Sequence, residues 1–167
     1  MSLLRDKENG CEWDKEQTFQ SIAPFTIEEA YEVADAIDRS NHDDLKEELG
    51  DLLLQVVFLS QIASEDQLFN FDDVAKIITQ KLVRRHPYVF SEKRDHSSDE
   101  QLDQWENIKQ KERSKKNQNG TLDGISINLP ALKRSQKIQK RAAKVGFDWP
   151  DTKGVFKKIK EETLELE

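Results

Sequence analysis

The sequence predicts an all-α protein, a helical bundle whose four-helix core is completed by dimerisation. Three observations lead there. Only six Gly and four Pro in 167 residues leave little material for the turns of a sheet. Hydrophobic and charged residues each make up 35% of the chain, a balance that suits long amphipathic helices. Residues 26–60, TIEEAYEVADAIDRSNHDDLKEELGDLLLQVVFLS, repeat apolar side chains at intervals of three and four on either side of a polar turn. One helix pair with an apolar and an acidic face closes no core, so two such hairpins are expected to pair in a homodimer or higher homo-oligomer.

Composition also excludes some functions. A net charge of −7 argues against a general nucleic-acid or anionic-membrane binder. No stretch approaches the roughly 20 apolar residues that span a bilayer, and the first ten residues, MSLLRDKENG, carry no apolar run resembling a signal sequence. Cys11 is the one cysteine, which rules out an intrachain disulfide and fits a reducing, cytoplasmic setting. Its ordinary reading is a small side chain rather than a reactive thiol.

Taken in order, residues 1–16 are polar and irregular, with Trp13 expected to anchor them on the bundle; stacking on a nucleobase is its alternative role. A first helix is expected over about 17–39, bent or restarted at Pro24. Thr26 and Glu29 have the spacing of a capping box, and Ile27, Ala30, Tyr31, Ala34 and Ile37 form the expected core stripe. Asn41 or Asp43 caps a second helix over about 43–65. Its apolar seam is Leu45, Leu49, Leu52, Val56, Leu59 and Ala63, widened by Leu53, Val57 and Ile62. A third helix follows Asn70, buries Val74, Ile77, Ile78, Leu82 and Val83, and is stopped at His86 by Pro87. Residues 91–128 are charged and nearly free of aliphatics, and read as a linker or mobile arm. Within them Ser97 and Glu100 cap a helix to about 116, tethered by Trp105 and Ile108. A connecting helix rich in Lys and Arg occupies 129–147, closed by GFDWPD, and residues 148–167 open a last helix.

The chemistry is concentrated in two acidic pairs. Glu29 and Glu32 are three apart on the first helix, and Glu48 and Asp51 three apart on the second, so each pair lies on one helix face. Facing each other across the hairpin, four carboxylates repel unless a cation sits among them, and hard oxygen ligands suit Mg²⁺ or Mn²⁺. A single E-x-x-E is common on charged helices, so the weight rests on both pairs together. Asp44, Glu48, Asp51 and Gln55 follow one ridge of the second helix beside its leucines. On the third helix Lys81 and Arg85 are four apart with Arg84 between them, able to present positive charge to one anion. The plainer reading is a basic last turn complementing the helix dipole. A di-iron carboxylate bundle would need E-x-x-H on two helices, and His42, His86 and His96 are not placed for it.

The end of the chain repeats its beginning. Glu161, Glu162 and Glu165 repeat the pattern of Glu28, Glu29 and Glu32, and each copy follows a tryptophan beside an aspartate, Trp13–Asp14 and Asp148–Trp149. No second E-x-x-D follows within the chain.

Five motifs in this order, CEWDKEQTF, IEEAYEVADAID, LKEELGDLLLQVVF, KLVRRHPYVF and LPALKRSQKIQKRAAKVGFDW, resemble the MazG nucleoside triphosphate pyrophosphohydrolases over nearly the whole chain. These belong to an all-α NTP pyrophosphatase group that also includes dimeric dUTPases. The resemblance implies hydrolysis of nucleoside triphosphates to monophosphate and pyrophosphate, with Mg²⁺ held by Glu29, Glu32, Glu48 and Asp51 and the triphosphate contacted by Lys81 and Arg85. Glu28 is the candidate general base. It further implies a first MazG-like domain at 1–90 and, at 148–167, the opening helix of a truncated second one, as in the N-terminal part of a two-repeat member. The alternative is a catalytically weak or inactive first repeat, serving as an oligomerisation and metal-binding module for a second, active domain.

Overall fold

The computed structural model describes residues 1–90, 97–115, 117, 118 and 120–166, and these form eight helices and no strand. They are α1 (Glu12–Glu16), α2 (Phe19–Asp38), α3 (His42–Glu65), α4 (Phe71–Arg85), α5 (Pro87–Phe90), α6 (Ser98–Lys115), α7 (Ala131–Ala143) and α8 (Thr152–Leu164). The chain divides into two compact units, Met1–Glu92 and Lys93–Glu167. The predicted junction at 91–96, and positions 116 and 119 of the stretch read as a flexible arm, lie outside the described residues.

In the first unit, α2 starts close to the expected residue 17, and its capping box is Thr18 and Ser21 rather than Thr26 and Glu29. The Thr18 hydroxyl accepts from the Ser21 amide at 3.2 Å while the Ser21 hydroxyl accepts from the Thr18 amide at 2.9 Å. Thr26 lies within the helix and donates its hydroxyl to the Ile22 carbonyl at 3.3 Å, so Glu29 caps nothing and its carboxylate is left to the interior of the hairpin. Pro24 is accommodated inside α2 without ending it. The turn to α3 is closed by the Asn41 amide on the Ala36 carbonyl at 3.0 Å and by Asn41 capping Asp44 at 3.3 Å, so Asn41 rather than Asp43 is the cap. Arg39 spans this turn, paired with Asp35 and Asp44 at 2.7 Å each. Asn70 and Asp73 cap α4 reciprocally at 3.1 Å, and His86 ends it before Pro87.

On α2 the buried face differs from the one the apolar pattern marks out, whereas on α3 Leu45, Leu52, Val57, Leu59, Ile62 and Ala63 of the expected seam are covered. On α2 the covered side chains are Phe19, Ile22, Thr26, Glu29, Val33 and Ala36, a row at helical spacing. On α3 they include Asp44, Leu45, Glu48, Leu52, Gln55, Phe58 and Ile62. Ile22, Phe58 and Ile62 make the core cluster, with Met1, Phe19 and Leu59 against it. The expected stripe of α2 lies about a third of a turn away and stays open, with Ile27, Tyr31 and Ile37 each more than half exposed. Leu49 and Leu53 of α3, and Ile77, Ile78, Leu82 and Val83 of α4, are open as well. The two acidic pairs were expected beside the core; Glu29 and Glu48 instead lie in the seam between the helices.

The second unit is held by few, mostly polar ties. Ser97 and Glu100 form the expected box at the start of α6. Glu106 of α6 bonds to Lys109 and to Lys144, just beyond α7, at 2.8 Å each, which holds its carboxyl down to about 2. Lys109 also lies over the Trp105 ring, 4.3 Å from its centroid. Gly146 takes a left-handed conformation, φ +84°, where the chain leaves α7. Asp151 caps α8, accepting from Lys153 and Gly154. Trp149 lies against Gly154 so closely that a Cβ there would come within 2.4 Å of the indole.

Candidate metal centre

Because α2 and α3 run antiparallel through a tight turn, Glu29 falls opposite Gln55, and the acidic residues of both helices gather in one part of the seam. Glu29, Glu48 and Asp51 each bring a carboxylate oxygen to within 4.8 Å of the others. Glu32, one turn along α2, adds its charge to both Glu29 and Glu48. The buried Gln55 side chain donates to a Glu29 oxygen at 3.3 Å and fixes that carboxylate.

The electrostatics follow from this crowding. Burial, then Glu32, Asp51 and Glu48, push the Glu29 carboxyl above its ordinary range. Burial, then Glu32, Asp51, Asp44 and Glu47, push Glu48 the same way. Among the described residues no ion pair reaches Glu29, Glu32, Glu48 or Asp51. Partly covered carboxylates converging without a compensating cation are the donor set that a hard divalent ion fits.

The other predicted residues are not among the three carboxylates that converge. Glu28 is exposed on α2, about a third of a turn from the seam. Lys81 and Arg85 are half-buried on the C-terminal part of α4 and Arg84 is exposed there. Gln55 was legible on the acidic ridge, four residues after Asp51, yet its bond to Glu29 follows only from the pairing of the two helices.

The half-copy on α8 has the same register as α2. Glu29 and Glu32 stand eleven and fourteen residues after the cap Thr18, and Glu162 and Glu165 stand eleven and fourteen after the cap Asp151. Here a lysine intervenes: Lys158 pairs with Glu161 at 2.6 Å and Glu162 at 3.1 Å.

Known proteins share both the sequence and the fold. Residues 17–90 match the family model described as the MazG nucleotide pyrophosphohydrolase domain. The chain is 55% identical over 166 residues to a nucleoside triphosphate pyrophosphohydrolase of Escherichia coli (strain K12). It is 48% identical over 166 residues to the nucleoside triphosphate pyrophosphohydrolase/pyrophosphatase MazG of Thermotoga maritima. Each alignment takes in 99% of this chain and 63% of the relative, so the chain spans under two thirds of their length. A crystal structure of a mazG-related protein from Thermotoga maritima shares the fold, with a TM-score of 0.54 at 22% identity over 65% of this chain and 94% of that one. Residues 17–90, which carry the four carboxylates on α2 and α3, thus resemble the MazG nucleotide pyrophosphohydrolase domain in sequence and in fold.

Proposed function

We propose that the chain hydrolyses nucleoside triphosphates to nucleoside monophosphate and pyrophosphate, using Mg²⁺, or Mn²⁺ in its place, held by Glu29, Glu32, Glu48 and Asp51. The observation that carries this is the convergence of Glu29, Glu48 and Asp51 within 4.8 Å, with no cation of the described residues paired to them. The names of the relatives supply the substrate class.

When bound, a divalent ion there would neutralise phosphate charge and make a nearby water more acidic. The chain's own groups do the rest. Gln55 orients the Glu29 carboxylate. Glu28, exposed beside the seam, accepts the proton of the water that attacks the α-phosphorus, as the bond to the bridging oxygen breaks and pyrophosphate leaves. Lys81 and Arg85, with Arg84 beside them, meet the charge that builds on the departing pyrophosphate. The open stripe of Ile27, Tyr31 and Ile37, together with Leu49 and Leu53, pairs with a second copy to complete a four-helix core. No described helix is long and apolar enough to cross a membrane, and the reading places the activity in the cytoplasm with nucleotides, not nucleic acid, as partners.

A second reading is favoured by the register of α8. A half-claw at the same distance from its cap as the first fits a two-repeat protein in which this first repeat mainly oligomerises and binds metal for a more active second one. Chromatography of products from each common NTP, with and without Mg²⁺, separates the two. Equal monophosphate and pyrophosphate formed only with metal supports turnover by this chain. No product beside retained metal binding leaves the module.

A further inference from the structure

Gln55 sets a neutral amide among the acids of the seam. It follows Asp51 by four residues on α3, one turn along the same ridge, and is 7% exposed. Phe58, three residues further on, is buried, and Leu52 three residues before is half-buried. The amide nitrogen of Gln55 donates to Glu29 Oε1 at 3.3 Å. Glu29 in turn converges with Glu48 and Asp51, one carboxylate oxygen of each lying within 4.8 Å of the others. Gln55 therefore reaches the metal centre through one of its ligands.

A neutral donor does something at this place that a charged one would not. A lysine on Glu29 would hold the carboxylate and cancel its charge, as Lys158 does for Glu161 and Glu162 on α8. An amide holds it and leaves the charge for a cation. The bond also engages one oxygen, Oε1, so the carboxylate neither turns freely nor offers its two oxygens on equal terms. Burial of Gln55 keeps water from taking the donor's place. Mg²⁺ and Ca²⁺ respond differently to such a constraint. Mg²⁺ demands near-ideal octahedral geometry at short distance, which single oxygens of fixed carboxylates supply. Ca²⁺ takes more oxygens, accepts both from one carboxylate and tolerates looser geometry.

We infer that Gln55 sets the metal preference of this site, fixing Glu29 as a single-oxygen ligand and so favouring Mg²⁺ or Mn²⁺ over Ca²⁺. The inference rests on the proposed function and deepens it, assigning the choice of ion to a side chain that binds none. Gln55 acts through Glu29 and is a positioning residue.

Calorimetric titration of the full chain with Mg²⁺, Mn²⁺ and Ca²⁺, each alone, tests this without turnover. Gln55→Met keeps the length and bulk of the side chain and removes the donor. Gln55→Glu keeps its shape and exchanges the donor for a further carboxylate. Circular dichroism checks that each variant is folded. In Gln55→Met the affinity for Mg²⁺ and Mn²⁺ should fall about tenfold or more, with that for Ca²⁺ changed less, so that the preference for Mg²⁺ narrows. In Gln55→Glu the affinity for Ca²⁺ should rise, since an added free carboxylate suits the ion that takes more oxygens.

Wild-type affinities in folded Gln55→Met overturn the inference. An equal loss for all three ions does so too, since it would make Gln55 a general support of Glu29, and so does a Gln55→Glu chain that keeps the wild-type preference. A wild type that binds Ca²⁺ more tightly than Mg²⁺ overturns the inference and leaves the carboxylate centre standing. A wild type that binds none of the three ions overturns the metal reading of the site and the inference with it.

Discussion

At the scale of single residues, Glu29 and Glu48 set the electrostatics of the seam. Both carboxyls sit above their ordinary range because burial and their acidic neighbours disfavour the ionised forms. A raised folded-state value means that the folded chain holds a proton the unfolded chain has lost. The stabilisation this brings is full below the unfolded value, near 4.5, and is lost as pH rises through the folded value. At neutral pH without metal, the cluster is therefore a source of repulsion. Glu48→Gln should raise the melting temperature of the metal-free protein at pH 7 and leave it nearly unchanged at pH 4. The same substitution should remove the stabilisation that wild type gains from Mg²⁺. Thermal melts at the two pH values, with and without Mg²⁺, check both parts. The four acidic positions were legible because charge and spacing are written in the sequence. The bond from Gln55 to Glu29 was not, since it joins residues 26 positions apart and depends on how the two helices are set against each other.

At the scale of elements, helix caps decide where α2 begins. Thr18 and Ser21 satisfy each other's amides, whereas Thr26 bonds back to Ile22 within the helix. Thr18→Ala should cost about 1 kcal/mol of stability in urea unfolding, and Thr26→Ala clearly less. Equal costs would mean that the helix starts elsewhere. Type and extent of α2, α3 and α4 were legible from periodicity, and Asn41, Asn70 and Pro87 gave the ends closely. Which face of α2 turns inward was not. Its sequence carries two neighbouring rows, one of Ile27, Tyr31 and Ile37 and one of Ile22, Thr26, Glu29, Val33 and Ala36. The more apolar row stays open, and the mixed one is covered.

At the scale of the whole molecule, the uncovered row of α2 and the open Leu49 and Leu53 of α3 set the expectation for assembly. Apolar surface left in a contiguous stripe on a single chain calls for a partner, and a second copy offers the same stripe by symmetry. Leu53→Glu should convert a dimer to monomer in analytical ultracentrifugation while helical circular dichroism is kept. A wild type that sediments as a monomer would remove the dimer from the account. The repeat of α2 in α8 was visible in sequence as a motif. The caps Thr18 and Asp151 sharpen it to an identical register of eleven and fourteen residues. What differs is the setting: Lys158 pairs with Glu161 and Glu162 on α8, while no ion pair of the described residues compensates the first claw.

The α2–α3 carboxylates are proposed to direct water to the α-phosphorus of a nucleoside triphosphate. Hydrolysis of ATP with Mg²⁺ in ¹⁸O-labelled water, read by mass spectrometry, tests this most directly. One ¹⁸O in each AMP formed, unlabelled pyrophosphate, and loss of both products in Glu48→Gln are predicted. Label in pyrophosphate, products of ADP and phosphate, or undiminished turnover by Glu48→Gln would contradict it.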